Sequence, residues 1–126
     1  MKKMILLFSH QLTTMQKEDA QTSFEVEEFV VLPKDLQNIW SNIPPSLGDL
    51  DEYLKPIRDY LKEELKRDDM ALIQGDFGAT CAIASFVKSI GGVGVYATTK
   101  RDVVEREIDG KIVKTSVFEH IRFREF

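Results

Sequence analysis

Cysteine is nearly missing from this chain. One residue, Cys81, stands in 126, so no internal disulfide can form, which fits a reducing, cytoplasmic setting. Long apolar runs are missing too: nowhere do the roughly 18 uninterrupted apolar residues of a membrane-spanning helix occur. The start, Met1-Lys-Lys-Met-Ile-Leu-Leu-Phe8, mimics a secretory leader only faintly, because it has no extended apolar region and no small-residue cleavage site. We read it as a buried first strand. An excess of positive charge is also lacking. The formal charge is −4 and the pI about 5.2, which argues against coating long nucleic acid with a broad basic face. A small anionic ligand needs only a few local cations and amides, and is compatible with that balance.

Several catalytic signatures are absent as well. No Gly-x-Gly-x-x-Gly follows the first strand, which argues against a dinucleotide oxidoreductase, and no Gly-x-x-x-x-Gly-Lys-Ser/Thr loop exists. One cysteine and two distant histidines give no metal-ligand spacing. The sequence therefore implies neither a metal nor a cofactor, and any chemistry rests on positioning, hydrogen bonds and one histidine.

What is present is a chain of alternating elements. Lys2 to Phe8 reads as a doubly covered strand, followed by Ser9-His10-Gln11-Leu12-Thr13 and a helix capped by Thr13 or Thr14 and running to about Thr22. Phe29 to Leu32 is a second strand, stopped by Pro33. Lys34 to Ser41 is a short helix, and Leu50 to Lys66 a longer amphipathic one with Pro56 in its second turn. Met70 to Ile73 is a third strand, Ala79 to Ile90 a third main helix ended by Gly91-Gly92, and Val93 to Ala97 a fourth strand. Thr98-Thr99-Lys100-Arg101 reads as the loop after it. Val103 to Ile108, Asp109-Gly110 and Lys111 to Phe126 form a hairpin, Asp-Gly being a preferred two-residue turn.

This pattern predicts one α/β domain over residues 1–126: an open, mainly parallel sheet with helices on both faces over 1–101, and a C-terminal β-hairpin over 102–126. Right-handed winding gives strand order 2-1-3-4. Ligands of such sheets bind where the order reverses. Ser9–Thr13, Gln74–Thr80 and Thr98–Arg101 are thereby predicted to share one rim.

Each rim residue has a structural and a functional reading. Ser9 and Thr13 finish a strand and cap a helix, or hold a ligand. His10 satisfies a loop, or exchanges protons near neutral pH. Gln74 terminates its strand or contacts ligand. Gly75 and Gly78 permit backbone geometry that a side chain forbids. Asp76 is a turn or capping acid, or a ligand contact; Phe77 is core, or a platform for a base. Ala79 and Thr80 open the helix, where amides and a hydroxyl can meet an anion. Thr98, Thr99, Lys100 and Arg101 are solvated loop residues, or a set of hydroxyls and cations suited to phosphate. Trp40, Tyr53 and Tyr60 are read as core or dimer surface, and Cys81 as inert packing. His120, Arg122 and Arg124 share one face of the last strand, as a charged edge or as an extension of a basic site.

Four segments carry a family resemblance: Leu-Leu-Phe-Ser9-His10-x-Leu-Thr13, Leu36-Gln-x-Ile-Trp40-Ser-Asn-Ile-Pro-Pro45, Gln74-Gly-Asp-Phe-Gly-Ala-Thr80 and Tyr96-Ala-Thr-Thr-Lys-Arg101. With them the chain resembles the small single-domain ring nucleases associated with type III CRISPR systems, relatives of CARF (CRISPR-associated Rossmann fold) domains. The resemblance implies a Rossmann-like, CARF-type fold and a homodimer binding a cyclic oligoadenylate second messenger across its two-fold axis. It implies metal-independent linearisation by attack of a ribose 2′-hydroxyl on the adjacent phosphodiester, which switches off an antiviral response. On that basis His10, Lys100 and Arg101 are expected to be catalytic: His10 moves a proton, and Lys100 or Arg101 with the amides near Gly78–Thr80 stabilise the phosphorane. Ser9, Gln11, Thr13, Gln74, Gly75, Asp76, Phe77, Gly78, Ala79, Thr80, Thr98 and Thr99 are expected to bind ligand. A non-catalytic module that captures the same ligand is the alternative.

Overall fold

Short apolar strands pairing side by side set the centre of the molecule. The structure is a computed structural model that describes residues 2–126; Met1 of the leader-like start lies outside them. In chain order the elements are β1 (Lys3–Leu7), α1 (Thr14–Phe24), β2 (Glu28–Val31), α2 (Lys34–Ser41), α3 (Asp51–Glu64), β3 (Met70–Ile73), α4 (Phe77–Ser89), β4 (Val93–Ile108) and β5 (Lys111–Glu125). The five strands form one sheet in the order β2-β1-β3-β4-β5. The first three neighbour pairs are parallel and β4–β5 is antiparallel. The predicted α/β class, the 2-1-3-4 order and the terminal hairpin are all present.

Both faces of the central strands β1 and β3 are covered, which explains their apolar runs, whereas the edge strand β2 starts at the exposed Glu28 and leaves Val31 open. Ile5, Leu7, Ala71 and Ile73 face a core shared with α2, α3 and α4. Met4, Leu6, Met70, Leu72 and Val95 face the other way, toward α1 residue Ala20 and toward Phe123 of β5. Helix α3 buries Leu54, Ile57 and Leu61, one stripe at helical spacing. Helix α1 starts at a reciprocal capping box: Thr13 accepts from the Gln16 amide, and the Gln16 side chain accepts from the Thr13 amide. At the N-terminal edge of the sheet the buried Asp69 carboxylate accepts from the amides of Lys3 (3.2 Å) and Lys66 (3.0 Å). A charge buried with such partners is satisfied. Among the described residues no helix is long and apolar enough to cross a membrane.

Strand β4 departs from expectation. It does not end at Ala97 but runs unbroken to Ile108, so Thr98–Arg101 is strand and not loop, and no break separates Arg101 from Asp102. The reason is the turn at its far end. Asp109 and Gly110 both take positive φ (52° and 76°), the backbone of a tight hairpin turn whose twist matches the flanking strands. That turn propagates a ladder from Ile108↔Lys111 back to Thr99↔His120, which overrides the polar composition of Thr98–Arg101.

The ladder shifts register between Thr98 and Thr99, pairing Thr98 with Arg122 and Thr99 with His120, so Ile121 is an extra residue. A bulge of this kind resets which face each side chain takes. His120 therefore does not share a face with Arg122 and Arg124. It packs beside Phe123 (ring centroids 4.8 Å apart) over α1.

Candidate functional site

The turn after β3 is fixed from three sides through Gln74. Its amide donates to the Leu7 carbonyl (3.0 Å), its side-chain oxygen accepts from the Ala97 amide (3.1 Å), and its carbonyl accepts from the Trp40 indole N–H (3.1 Å). The ends of β1 and β3 and the middle of β4 do therefore meet at one edge, as predicted. Gly75 follows because Trp40 lies against it. A Cβ there would stand 3.0 Å from the indole nitrogen and 3.1–3.2 Å from ring carbons. Gly78 is different: a Cβ would find its nearest neighbour at 3.5 Å, an ordinary contact, so the steric need expected of it does not exist.

Asp76 is the N-cap of α4. Its carboxylate accepts from the Ala79 amide (3.0 Å) and its carbonyl from the Thr80 amide (2.8 Å). This corrects the expectation of an anion site at Gly78–Thr80. Two of those amides are already engaged, and a carboxylate stands where the anion would sit. Ala79 itself is fully buried. The amides of Phe77 and Gly78 are the ones in the first turn outside these two bonds.

Beside this turn, on the α4 face of the sheet, lies a cavity of about 340 Å³. Its walls are Gln74, Gly75, Phe77, Thr80, Tyr96 and Phe126. Tyr96 and Phe126 form an aromatic corner with ring centroids 5.0 Å apart. Phe77 is 85% exposed, so it is not core; it stands free at the cavity mouth. The Thr80 hydroxyl is buried and has no hydrogen-bond partner among the described residues. Cys81 also lines the cavity and is exposed, which corrects its reading as inert packing. Arg124 places its guanidinium 5.7 Å from the Tyr96 ring centroid and donates to the Tyr96 hydroxyl at 3.3 Å.

Strand alternation decides which cations can reach this cavity. Tyr96, Thr98 and Lys100 project to its face, and their cross-strand partners Arg124, Arg122 and Glu119 share it. Arg101 projects to the opposite face, where it contacts the Phe118 ring (6.0 Å) and the Ser116 hydroxyl (3.1 Å). Lys100 and Arg101 thus cannot serve one site from one chain, a separation that follows from their being strand residues.

The remaining expected residues fall elsewhere. Ser9 bonds side chain to side chain with Ser41 (3.0 Å) at the end of α2. His10 and Gln11 are exposed and line a separate groove of about 420 Å³ with Lys17, Phe29 and Val31. The His10 ring meets Phe8 edge-on, with centroids 5.4 Å apart. Thr98 donates its hydroxyl to the Arg122 carbonyl (2.9 Å). Thr13 and Thr99 border a third groove, of about 480 Å³, with Met15, Phe118 and His120. Trp40 is core, and Tyr53 donates to the carbonyls that end α2, so both have structural work. Backbone segments converge on one rim, but their side chains divide among three places.

Two features escaped sequence reasoning. The aromatic corner needs β5 to stay in register past Glu125, where the Phe126 amide donates to the Gly94 carbonyl (3.0 Å) and its ring comes beside Tyr96; that register is not visible in the local sequence. The second is a buried pair: His120 Nε2 and Asp19 Oδ2 are 2.7 Å apart, the histidine side chain is only 4% exposed, and its Nδ1 is buried without a partner among the described residues. Burial pushes the Asp19 carboxyl upward, but bonds from Ser23 and His120, the His120 charge and a bond from the Phe123 backbone outweigh it. The net pKa lies below the ordinary 3.8.

Fold and site together define an α/β domain with a mainly parallel sheet and an aromatic cavity at its C-terminal strand edge. By sequence the chain matches, over residues 2–124, the family described as "Uncharacterized protein MJ1673 family", and it belongs to that family. It is 48% identical over 126 residues to the uncharacterized protein MJ1673 of Methanocaldococcus jannaschii, covering 100% of this chain and 98% of that protein. No solved structure matches it.

Proposed function

We propose that this protein binds a cyclic oligoadenylate at the Tyr96–Phe126 cavity and opens the ring, as the resemblance to ring nucleases of type III CRISPR systems implies. The observation that carries the reading is an aromatic-walled cavity at the C-terminal strand edge with Arg124, Arg122 and Lys100 on the same sheet face. Its volume falls within the roughly 300–1,000 Å³ typical of small-ligand sites. An adenine would stack on Tyr96 and on the exposed Phe77. The three cations would hold phosphate oxygens, which lets an acidic protein take an anion. Adjacent β1 and β3, where the winding reverses, support the finer reading of a Rossmann-like, CARF-type fold. The same reading makes the protein a cytoplasmic homodimer.

Ring opening needs no external reagent. The 2′-oxygen of one ribose forms a bond to the adjacent phosphorus, the bond to the 5′-oxygen breaks, the 2′-hydroxyl gives up its proton and the 5′-oxygen gains one. The product is linear and ends in a cyclic phosphate. On this reading Lys100, whose ammonium lies 3.9 Å from the Asp102 carboxylate, would turn from that pair to stabilise the phosphorane. His10, on the exposed loop after β1, moves protons once that loop turns toward the cavity. A general acid or base typically contributes about 10²–10⁴-fold, so His10→Ala should slow cleavage and leave binding largely intact.

A second reading, a binding module that holds the ring without cutting it, is favoured by two observations: His10 lines a different groove, and the Asp76 carboxylate occupies the start of α4. Incubation with rings of three, four and six adenylates, followed by chromatography, separates the two readings. Linear products ending in a cyclic phosphate support the nuclease; rings bound but intact after hours support the module. No binding of any ring refutes both.

A further inference from the structure

Breaking the bond from phosphorus to the 5′-oxygen leaves an alkoxide, and a positioned acid that protonates it speeds the step. His10 lies in a different groove, so it reaches this oxygen only by moving. The Tyr96–Phe126 cavity carries protic groups of its own on Gln74, Thr80, Cys81 and Tyr96. The Gln74 carboxamide does not ionise at neutral pH, and the Thr80 hydroxyl is buried out of a ligand's reach. Two groups remain, the Cys81 thiol and the Tyr96 phenol. Of these, the phenol is the one with a cation against it: the Arg124 guanidinium donates to its oxygen at 3.3 Å.

We propose, resting on the ring-opening reading, that Tyr96 is the catalytic acid that protonates the departing 5′-oxygen, and that Arg124 is a positioning residue acting through it. The two are partners across the β4–β5 ladder, on the cavity side of the sheet. Since the phenolic oxygen accepts from Arg124, its own hydrogen points away from the guanidinium. No acceptor for that hydrogen lies among the described residues, so it is free for a ligand oxygen. The Phe126 ring, with its centroid 5.0 Å from that of Tyr96, holds the phenol in place. A phenol keeps its proton at neutral pH and is still a far stronger acid than water or an alcohol.

Atoms and charges balance through the step. The 2′-oxygen bonds to phosphorus, the bond to the 5′-oxygen breaks with its electron pair, and that oxygen takes the Tyr96 proton. The phenolate left behind is held by the Arg124 charge. The 2′-hydroxyl proton leaves through His10 to solvent, and solvent reprotonates the phenolate. Base and acid are thereby different residues, one on the loop after β1 and one on β4.

The test replaces the leaving atom. Rings of three, four and six adenylates are made with the ordinary 5′-oxygen or with sulfur in its place, since a thiolate departs without protonation. Single-turnover rates are read at saturating protein. Tyr96→Phe, which keeps the ring against Phe126, should open the oxygen ring about 10²-fold or more slowly. It should bind both rings as wild type does and open the sulfur ring at nearly the wild-type rate, whereas a misfolded variant would slow both alike. Arg124→Gln should also slow the oxygen ring, and adding it to Tyr96→Phe should cost little further, as for residues acting as one unit. Undiminished opening of the oxygen ring by Tyr96→Phe, equal slowing of both rings, or multiplied losses in the double variant overturns the assignment and leaves the nuclease reading standing. If wild type binds the rings and leaves every one intact, the nuclease reading falls and the assignment with it.

Discussion

Trp40 and Gly75 show how one residue's size fixes another's. The indole donates to the carbonyl of Gln74 and lies flat on the next residue, leaving 3.0–3.2 Å where a methyl would stand. Gly75→Ala must push the indole away, stretching its bond and disturbing a packed core, and should cost about 1–3 kcal/mol; the denaturant midpoint measures this. The Asp19–His120 pair behaves differently because it is set by charge. The folded-state pKa of Asp19 is depressed, so its contribution to stability is fully present above the unfolded value, near 3.8, and is lost as pH falls through the lower folded value. Asp19→Asn should flatten the decline in stability in that acid window, as denaturant titrations at successive pH values would show. A wild-type decline unchanged in the variant would assign the acid sensitivity to other carboxylates.

At the level of elements, alternation within β4 separates neighbours that look equivalent in sequence. Lys100 faces the cavity side and Arg101 faces away. Lys100→Ala should therefore weaken binding of an anionic adenylate ligand, and Arg101→Ala should leave it nearly unchanged; titration calorimetry on both variants decides the matter. Equal losses would mean that the ligand is not held on this face. The same strand explains what the chain disclosed and what it hid. The sheet order was legible in residues 3–97 because the covered strands β1 and β3 are apolar throughout, α3 carries an apolar stripe and Thr13 marks the start of α1. Helices α2 and α3 begin without a side-chain cap, and α4 starts at Phe77, two residues before the expected Ala79. Thr98–Arg101 looks like a loop because four polar residues follow a short apolar run. Only the positive-φ turn ten residues later, through its ladder, makes them strand. The bulge at Ile121 has no composition signal, and it moved His120 to the opposite face.

For the molecule as a whole, convergence of three chain segments on one rim was legible, since it follows from topology alone. Which side of the sheet each side chain takes was not, since that depends on the register of β5 against β4, which also brings Phe126 beside Tyr96. The site consequently rests on residues that topology brought near and alternation then sorted: Tyr96, Phe126, Phe77 and Thr80 about one cavity, with His10 outside it. Trp40, the sole tryptophan of the chain, is buried directly beneath the turn that supplies Gln74, Gly75 and Phe77 to that cavity. Its intrinsic fluorescence is consequently a built-in reporter. Any ligand that displaces the turn alters the emission of a single fluorophore, so occupancy can be followed in real time without a label.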